Sequence, residues 1–259
     1  MDLHPRLIDS HAHFDDERFD DDREQALERA LTAGVAAQVI PAVKADWWPR
    51  IHHLCRQHAG LYAGYGLHPA YLDDHRPEHL DRLAEWIERE RPVAVGECGL
   101  DFYIEDPRPE LQQHYFEGQL ALARRHDLPV IVHARRAVEQ VLDTLRRYPG
   151  LRGVLHSYSG SEQQALRLIG MGFYVGFGGP VTYARAKRLH QLVKNLPLSA
   201  ILLESDAPDQ PGEGHRGERN EPCYLPEVLE TVSRLRGESL HTIAAQTSAN
   251  TRKLFRLAG

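Results

Sequence analysis

Leu7-Ile8-Asp9-Ser10-His11-Ala12-His13 is the stretch whose reading decides the fold. Two apolar residues lead into an acid and then a His-x-His pair. Side chains on a β-strand alternate between faces, so His11 and His13 fall on the same face. Two imidazoles side by side suit a metal ion. They also suit a solvated, histidine-rich strand. The choice depends on whether other segments end in ligands of the same kind.

Working outward, β-branched runs alternate with longer amphipathic segments along the chain. Strands are expected at 7–13, 35–43, 61–67, 92–97, 128–133, 153–156, 173–178 and 199–204. Helices are expected at 20–33, 46–58, 77–91, 109–126, 137–148, 161–171, 184–195, 222–235 and 240–257. The first helix carries Ala26, Leu27, Ala30 and Leu31 on one face and stops at Gly34. Asp46 and Ser161 read as N-caps. The Gly- and charge-rich segment 209–221 reads as a long loop after the last strand. Eight strand–helix pairs predict one α/β domain over residues 1–259, a (β/α)8 TIM barrel. A doubly wound open sheet is the alternative.

Four further segments end in ligand-type residues. Glu97 closes Val93-Ala94-Val95-Gly96, His133 closes Pro129-Val130-Ile131-Val132, and His156 closes Gly153-Val154-Leu155. Asp206 follows Ile201-Leu202-Leu203-Glu204-Ser205. An open sheet does not converge so many strand ends on one point, whereas a closed barrel does. Unpaired polar groups at these positions would each lose on the order of a few kcal/mol to desolvation. Four histidines and two carboxylates exceed one tetrahedral zinc and suit two divalent ions sharing a bridge. Glu97 is the expected bridge, with His11, His13 and Asp206 on one ion and His133 and His156 on the other. Asp206 also stands where it can take a proton from the attacking water. No glycine-rich phosphate loop and no GxSxG elbow competes.

The bulk composition narrows the function. With 42% hydrophobic and 26% charged residues the chain reads as globular. A net charge of −6 excludes a broad basic surface, so a polyanionic substrate must be held by metal and a few cations. The three cysteines, Cys55, Cys98 and Cys223, have unrelated spacings, and there is no CxxC. No apolar leader or membrane-length run occurs. A cytoplasmic, monomeric protein away from membranes is expected.

The ordered motifs resemble the TatD family of metal-dependent deoxyribonucleases. They are Asp9-Ser10-His11-Ala12-His13, Gly66-Leu67-His68-Pro69, Gly96-Glu97-Cys98-Gly99-Leu100-Asp101, His133 with Arg135, His156-Ser157-Tyr158-Ser159-Gly160, Glu204-Ser205-Asp206-Ala207-Pro208 and Arg219-Asn220-Glu221-Pro222. The resemblance covers the whole chain and implies an amidohydrolase-like barrel with His11, His13, Glu97, His133, His156 and Asp206 as ligands of two ions (Mg²⁺, Mn²⁺ or Zn²⁺). It also implies hydrolysis of DNA phosphodiesters, in some members as a 3′-5′ exonuclease. Ser157 and Tyr158 stand where the family usually has Cys and Phe, and Ser205 where it has Thr. None of these changes removes a ligand.

Other residues carry two readings each. His68 fits a substrate contact or a turn-holding role. Asp101 fits an acceptor that orients a ligand histidine, or a loop cap. Arg135 and Arg219 are candidate phosphate contacts, with Arg136 and Arg216 nearby; Arg219 also fits a salt bridge with Glu221. Tyr71 and Tyr103 fit base stacking or packing. Asp9 and Glu204 lie on the strand faces of His11 and Asp206, behind the ligands, and Glu204 also fits a structural hydrogen bond. Cys98 reads as a buried thiol pointing away from Glu97. The acidic chain favours a DNA strand end or single strand. The alternatives are a small-molecule amide, lactone or phosphoester hydrolase, and a non-catalytic metal-stabilised binding module.

Overall fold

The protein is described by a computed structural model covering residues 6–258. Its strands are β1 (Leu7–Asp9), β2 (Val35–Pro41), β3 (Leu61–Tyr65), β4 (Ala94–Asp101), β5 (Val130–Arg135), β6 (Gly153–Leu155), β7 (Phe173–Phe177) and β8 (Ile201–Leu203). They form one sheet in chain order, and every ladder is parallel. Beyond β1 the chain stays between its two neighbours. The Ser10 N–H donates to the Leu203 carbonyl at 3.0 Å, and the Ala12 N–H to Val39 at 3.0 Å. The Asp206 N–H then donates to His11 at 2.9 Å. These bonds draw β8 against β1, giving the expected barrel.

The helices are α1 (Arg23–Thr32), α2 (Trp48–Gln57), α3 (His79–Glu90), α4 (Pro109–Arg125), α5 (Val138–Leu145), α6 (Glu162–Gly170), α7 (Lys187–Asn195), α8 (Leu225–Arg236) and α9 (Leu240–Phe255). Strand residues divide by parity, as a two-sided buried strand requires. Val39, Ala94, Ile131, Val154 and Leu202 pack into an inner cluster with Leu254 and Phe255 at the end of α9. Their neighbours Ile40, Val95, Val130, Leu155 and Leu203 join the larger core with the helices.

Two local expectations need correction. Asp46 caps nothing: it lies inside a 3-10 turn (Ala45–Trp47), and α2 starts at Trp48 after a Trp47 cap without a side-chain bond. The fourth strand does not end at Glu97 but runs on to Asp101. Its ladder to β5 passes from Val95↔Val130 to Cys98↔Val132, three residues against two. This bulge reverses the parity, so Glu97 joins Ala94 on the inner face, followed by Gly99 and Asp101. Cys98 and Leu100 turn to the helix side, buried. Ser161 behaves as expected and forms a capping box with Gln164 at the start of α6.

Phe255 is 2% exposed at the base of the barrel. Phe255→Ala is expected to destabilise the fold by about 3–5 kcal/mol, read as a lower urea midpoint at an unchanged slope.

Candidate metal centre

The C-terminal strand ends gather the candidate ligands around Glu97, a carboxylate only 1% exposed. Its Oε2 lies 3.3 Å from both His11 Nε2 and His13 Nε2. Its Oε1 lies 2.8 Å from His156 Nε2, 3.0 Å from His133 Nδ1 and 3.1 Å from His68 Nε2. Asp206 Oδ1 stands 3.3 Å from His11 Nε2 and 3.6 Å from His13 Nε2. One oxygen of Glu97 thus faces the histidines just past β1, and the other faces His133 on β5 and His156 just past β6. Gly66 allows this packing: a Cβ there would meet the Gly96 Cα at 2.6 Å and the Glu97 carbonyl at 2.7 Å.

Ring hydrogen bonds sort the histidines by role. His133 Nε2 faces Asp101 Oδ2 at 3.0 Å, which places a proton on Nε2 and leaves the Nδ1 lone pair toward Glu97. His68 is arranged the other way. The Ala70 N–H donates to its Nδ1 at 3.0 Å, so the neutral ring carries its proton on Nε2, toward Glu97. His68 is therefore a donor beside the cluster, although its nitrogen is as near Glu97 as the others. It also holds the turn after β3.

The donor set fits a divalent cation. His11 Nε2 and His13 Nε2 are 3.2 Å apart, as are His133 Nδ1 and His156 Nε2, so nitrogen faces nitrogen in both pairs. Glu97 Oε2 is buried without a hydrogen-bond donor. The sets His11-Glu97-His156 and His11-His13-Asp206 each bring three ligand atoms within 4.8 Å of one another.

Electrostatics point the same way. Burial alone would lower His13, but the Glu97 carboxylate beside it, then the charges of Asp206 and Asp15, raise it to about 10. Burial likewise opposes His156, yet Glu97, Asp206 and Glu204 raise it to about 9. His11, enclosed and beside His156, falls to about 4. Burial would raise Glu97, but the surrounding imidazoles hold it well below the usual carboxylate range. The site holds positive charge wherever it can place it.

Behind the ligands, Asp9 Oδ1 accepts from the backbone N–H groups of His11 at 3.2 Å and Ser205 at 2.9 Å. It thereby joins β1 to the end of β8 and does not touch the His11 ring nitrogens. Burial raises Asp9 to about 7 and Glu204 to about 8. Glu204 accepts from the Ser157 N–H and lies 4.0 Å from His156 Nδ1. Gly176 leaves room for it, since a Cβ there would stand 2.2 Å from Glu204 Oε2.

Above the ligands opens a cavity of about 660 Å³. Trp47 and Tyr71 form one wall, their ring centroids 6.3 Å apart, and Tyr158, Phe177, Val181 and Leu189 form another. Arg135 lines it, as expected of a substrate contact. Arg219 does not. Its guanidinium bonds Asp22 at 2.7 and 2.8 Å, Glu221 at 2.7 Å and the Arg18 carbonyl at 2.6 Å, so it clamps the 209–221 loop onto α1. Arg216 is exposed and away from the cavity. Arg18 and Gln210 line the cavity without a sequence signal; Gln210 donates to Asp206 Oδ2.

A parallel barrel with such a donor set at its C-terminal mouth defines the class of metal-dependent barrel hydrolases. The family described as TatD related DNase matches residues 8–256. An Escherichia coli K12 protein named uncharacterized metal-dependent hydrolase YjjV is 42% identical, over 96% of this chain and 98% of that protein. The crystal structure of that TatD homologue superposes with a TM-score of 0.94 at 41% identity, covering 98% and 99% of the two chains. An Erwinia amylovora protein named 3′-5′ ssDNA/RNA exonuclease TatD is 35% identical over 93% of this chain and 96% of its own length. The chain belongs to the TatD family of metal-dependent hydrolases. No helix among the described residues is long and apolar enough to cross a membrane.

Two outcomes follow from this geometry. Arg219→Ala is expected to cost about 1 kcal/mol, since Asp22 is partly exposed and the buried Glu221 keeps its pairing with Arg29, with unchanged turnover; urea melts and rate assays check both. His13 and His156, raised above 6.5, are protonated in the metal-free protein at neutral pH, and that stabilisation is lost above about 9–10. Metal must displace those protons. Affinity should therefore rise with pH between 6 and 8, and calorimetry in buffers of different ionisation enthalpy should show proton release on binding.

Proposed function

We propose that this chain is a two-metal nuclease that hydrolyses DNA phosphodiester bonds at single strands or strand ends, working 3′ to 5′. The observation that carries the reading is the divided Glu97 carboxylate, with Oε2 toward His11 and His13 and Oε1 toward His133 and His156. A bridging carboxylate needs that arrangement. His11, His13 and Asp206 would hold one ion and His133 and His156 the other. Bound there, the ions supply an acidified water and neutralise charge on the phosphate.

The remaining steps belong to side chains. Asp206, 7% exposed at the cavity floor, accepts the proton of the attacking water, and the Gln210 amide fixes its other oxygen. Asp101 holds the ring of His133. His68 lines the cavity beside the ligands, where it can pack against substrate, and Arg135 presents a guanidinium to the phosphate oxygens. Trp47 and Tyr71 offer ring faces on which bases stack whatever their sequence. The name of the Erwinia relative supports the single-strand and 3′-5′ assignments. The small-molecule reading uses the same ligands but leaves the aromatic wall and Arg135 without a purpose.

The test is a substrate panel of single- and double-stranded DNA, RNA, model phosphodiesters and amides, each with Mg²⁺, Mn²⁺ and Zn²⁺. End-labelled single-stranded DNA is expected to shorten from its 3′ end, and chelation to stop it. Two ions per chain are expected by elemental analysis. Glu97→Ala should lose metal and more than about 100-fold in rate, beyond the range for groups that only orient ligands. Undiminished cleavage by that variant, purified free of contaminating nuclease, would overturn the reading.

A further inference from the structure

The rim of the cavity is divided in charge. On the side built by the loops after β1 to β4 and β8, most cations are held by acids; Arg76 bonds the Asp73 and His75 carbonyls instead, and Arg216 does not line the cavity. Arg18 pairs with Asp16 and Asp209, Lys44 with Asp74, Arg108 with Asp73, and Arg219 with Asp22 and Glu221. The loops after β5 and β7 differ. Arg135, Arg136, Arg185, Lys187 and Arg188 are all exposed, and among the described residues none lies within ion-pair distance of a carboxylate. Arg135 and Arg136 instead approach the half-exposed ring of Tyr103, their guanidinium carbons 3.8 and 4.3 Å from its centroid. An aromatic ring orients a guanidinium without cancelling its charge, as a carboxylate would.

These five cations belong to one face of the mouth. β5, β6 and β7 are consecutive in the barrel. Arg135 is itself in the cavity wall, and so are Pro180, Val181 and Leu189, which bracket Arg185, Lys187 and Arg188 in sequence. The chain carries 37 acids against 31 Lys and Arg. Five unneutralised cations on one arc are therefore a local feature and not a property of the whole surface.

We propose that this arc is the track along which a nucleic-acid single strand continues away from the bond being cut, with its phosphates on the guanidinium and ammonium groups. The inference rests on the nuclease reading of the metal centre and adds a direction: the strand leaves over the β5–β7 rim, not over the acid-paired side. Phosphate contacts of this kind carry no sequence preference, and each adds about 0.7 to the salt dependence of single-strand binding.

The experiment compares two variants of equal net charge. In one, Arg185, Lys187 and Arg188 are replaced together by Glu. In the other, Arg124, Arg125 and Arg146, at the C-terminal ends of α4 and α5 and so at the far end of the barrel from the mouth, are replaced by Glu. The readout is kcat/KM for a 20-nucleotide single strand divided by that for a dinucleotide, measured across a salt series. The ratio is expected to fall by about tenfold in the rim variant and less than about twofold in the control, with the log–log salt slope shallower by about 2 in the rim variant. Alanine at the three rim positions should give an intermediate ratio, and thermal melts check that each variant is folded. An equal fall in both variants, or no fall in either, overturns the track while leaving the nuclease reading standing. Failure of the wild-type protein to cut any strand overturns both.

Discussion

A carboxylate buried among imidazoles is the constraint on which this barrel depends. A charge with 1% exposure is costly unless it is surrounded by partners that match it. Glu97 meets nitrogens from β1, β5, β6 and the loop after β3, and each must arrive at about 3 Å. Several features serve that convergence. The bulge in β4 turns Glu97 inward, and Gly66 lets the neighbouring chain pass against it. Asp9 ties the two strands whose ends carry His11 and Asp206. The fold and the site have a common requirement, the closure of the barrel, because an open sheet would leave Glu97 with half its partners.

Much of this was legible in the sequence. Alternating apolar runs and amphipathic stretches gave the order of elements, and ionisable residues at the ends of those runs pointed to one mouth. What escaped had identifiable causes. Strict two-residue alternation sets Ala94 and Glu97 on opposite faces, and only the ladder with β5 reveals the extra residue that brings them together. Asp46 looked like a cap because composition does not disclose where a 3-10 turn delays a helix. His68 was recognised as facing the mouth, but its role follows from which nitrogen the Ala70 N–H occupies. Arg219 proves to be a loop clamp, and Arg18 reaches the cavity wall without a sequence signal, because their partners lie far along the chain. Asp22 is 197 residues from Arg219, and Asp209 is 191 from Arg18.

The arrangement also reconciles an acidic chain with a polyanionic substrate. Several cations near the mouth are consumed in holding loops, as Arg219 and Arg29 hold Glu221 and Asp22. The cluster itself concentrates protonated imidazoles when metal is absent and cations when it is present. Attraction is therefore placed at the floor and on one arc of the rim, where it acts on a strand entering the cavity rather than on nucleic acid at large.

The seam that brings Ser205 to Asp9 spans 196 residues of chain. During synthesis from the N-terminus, His11 and His13 emerge ahead of β2, yet the strand leading to Asp206 follows only after β2 to β7 have been made. Until then β1 has an unpaired edge, and the two histidines have neither their acid nor their opposite wall. Closing so long a loop carries an entropic cost that is repaid only when the last strand docks. Assembly of the candidate metal centre is thus tied to completion of the barrel: a product that stops before β8 retains His11 and His13 but lacks Asp206.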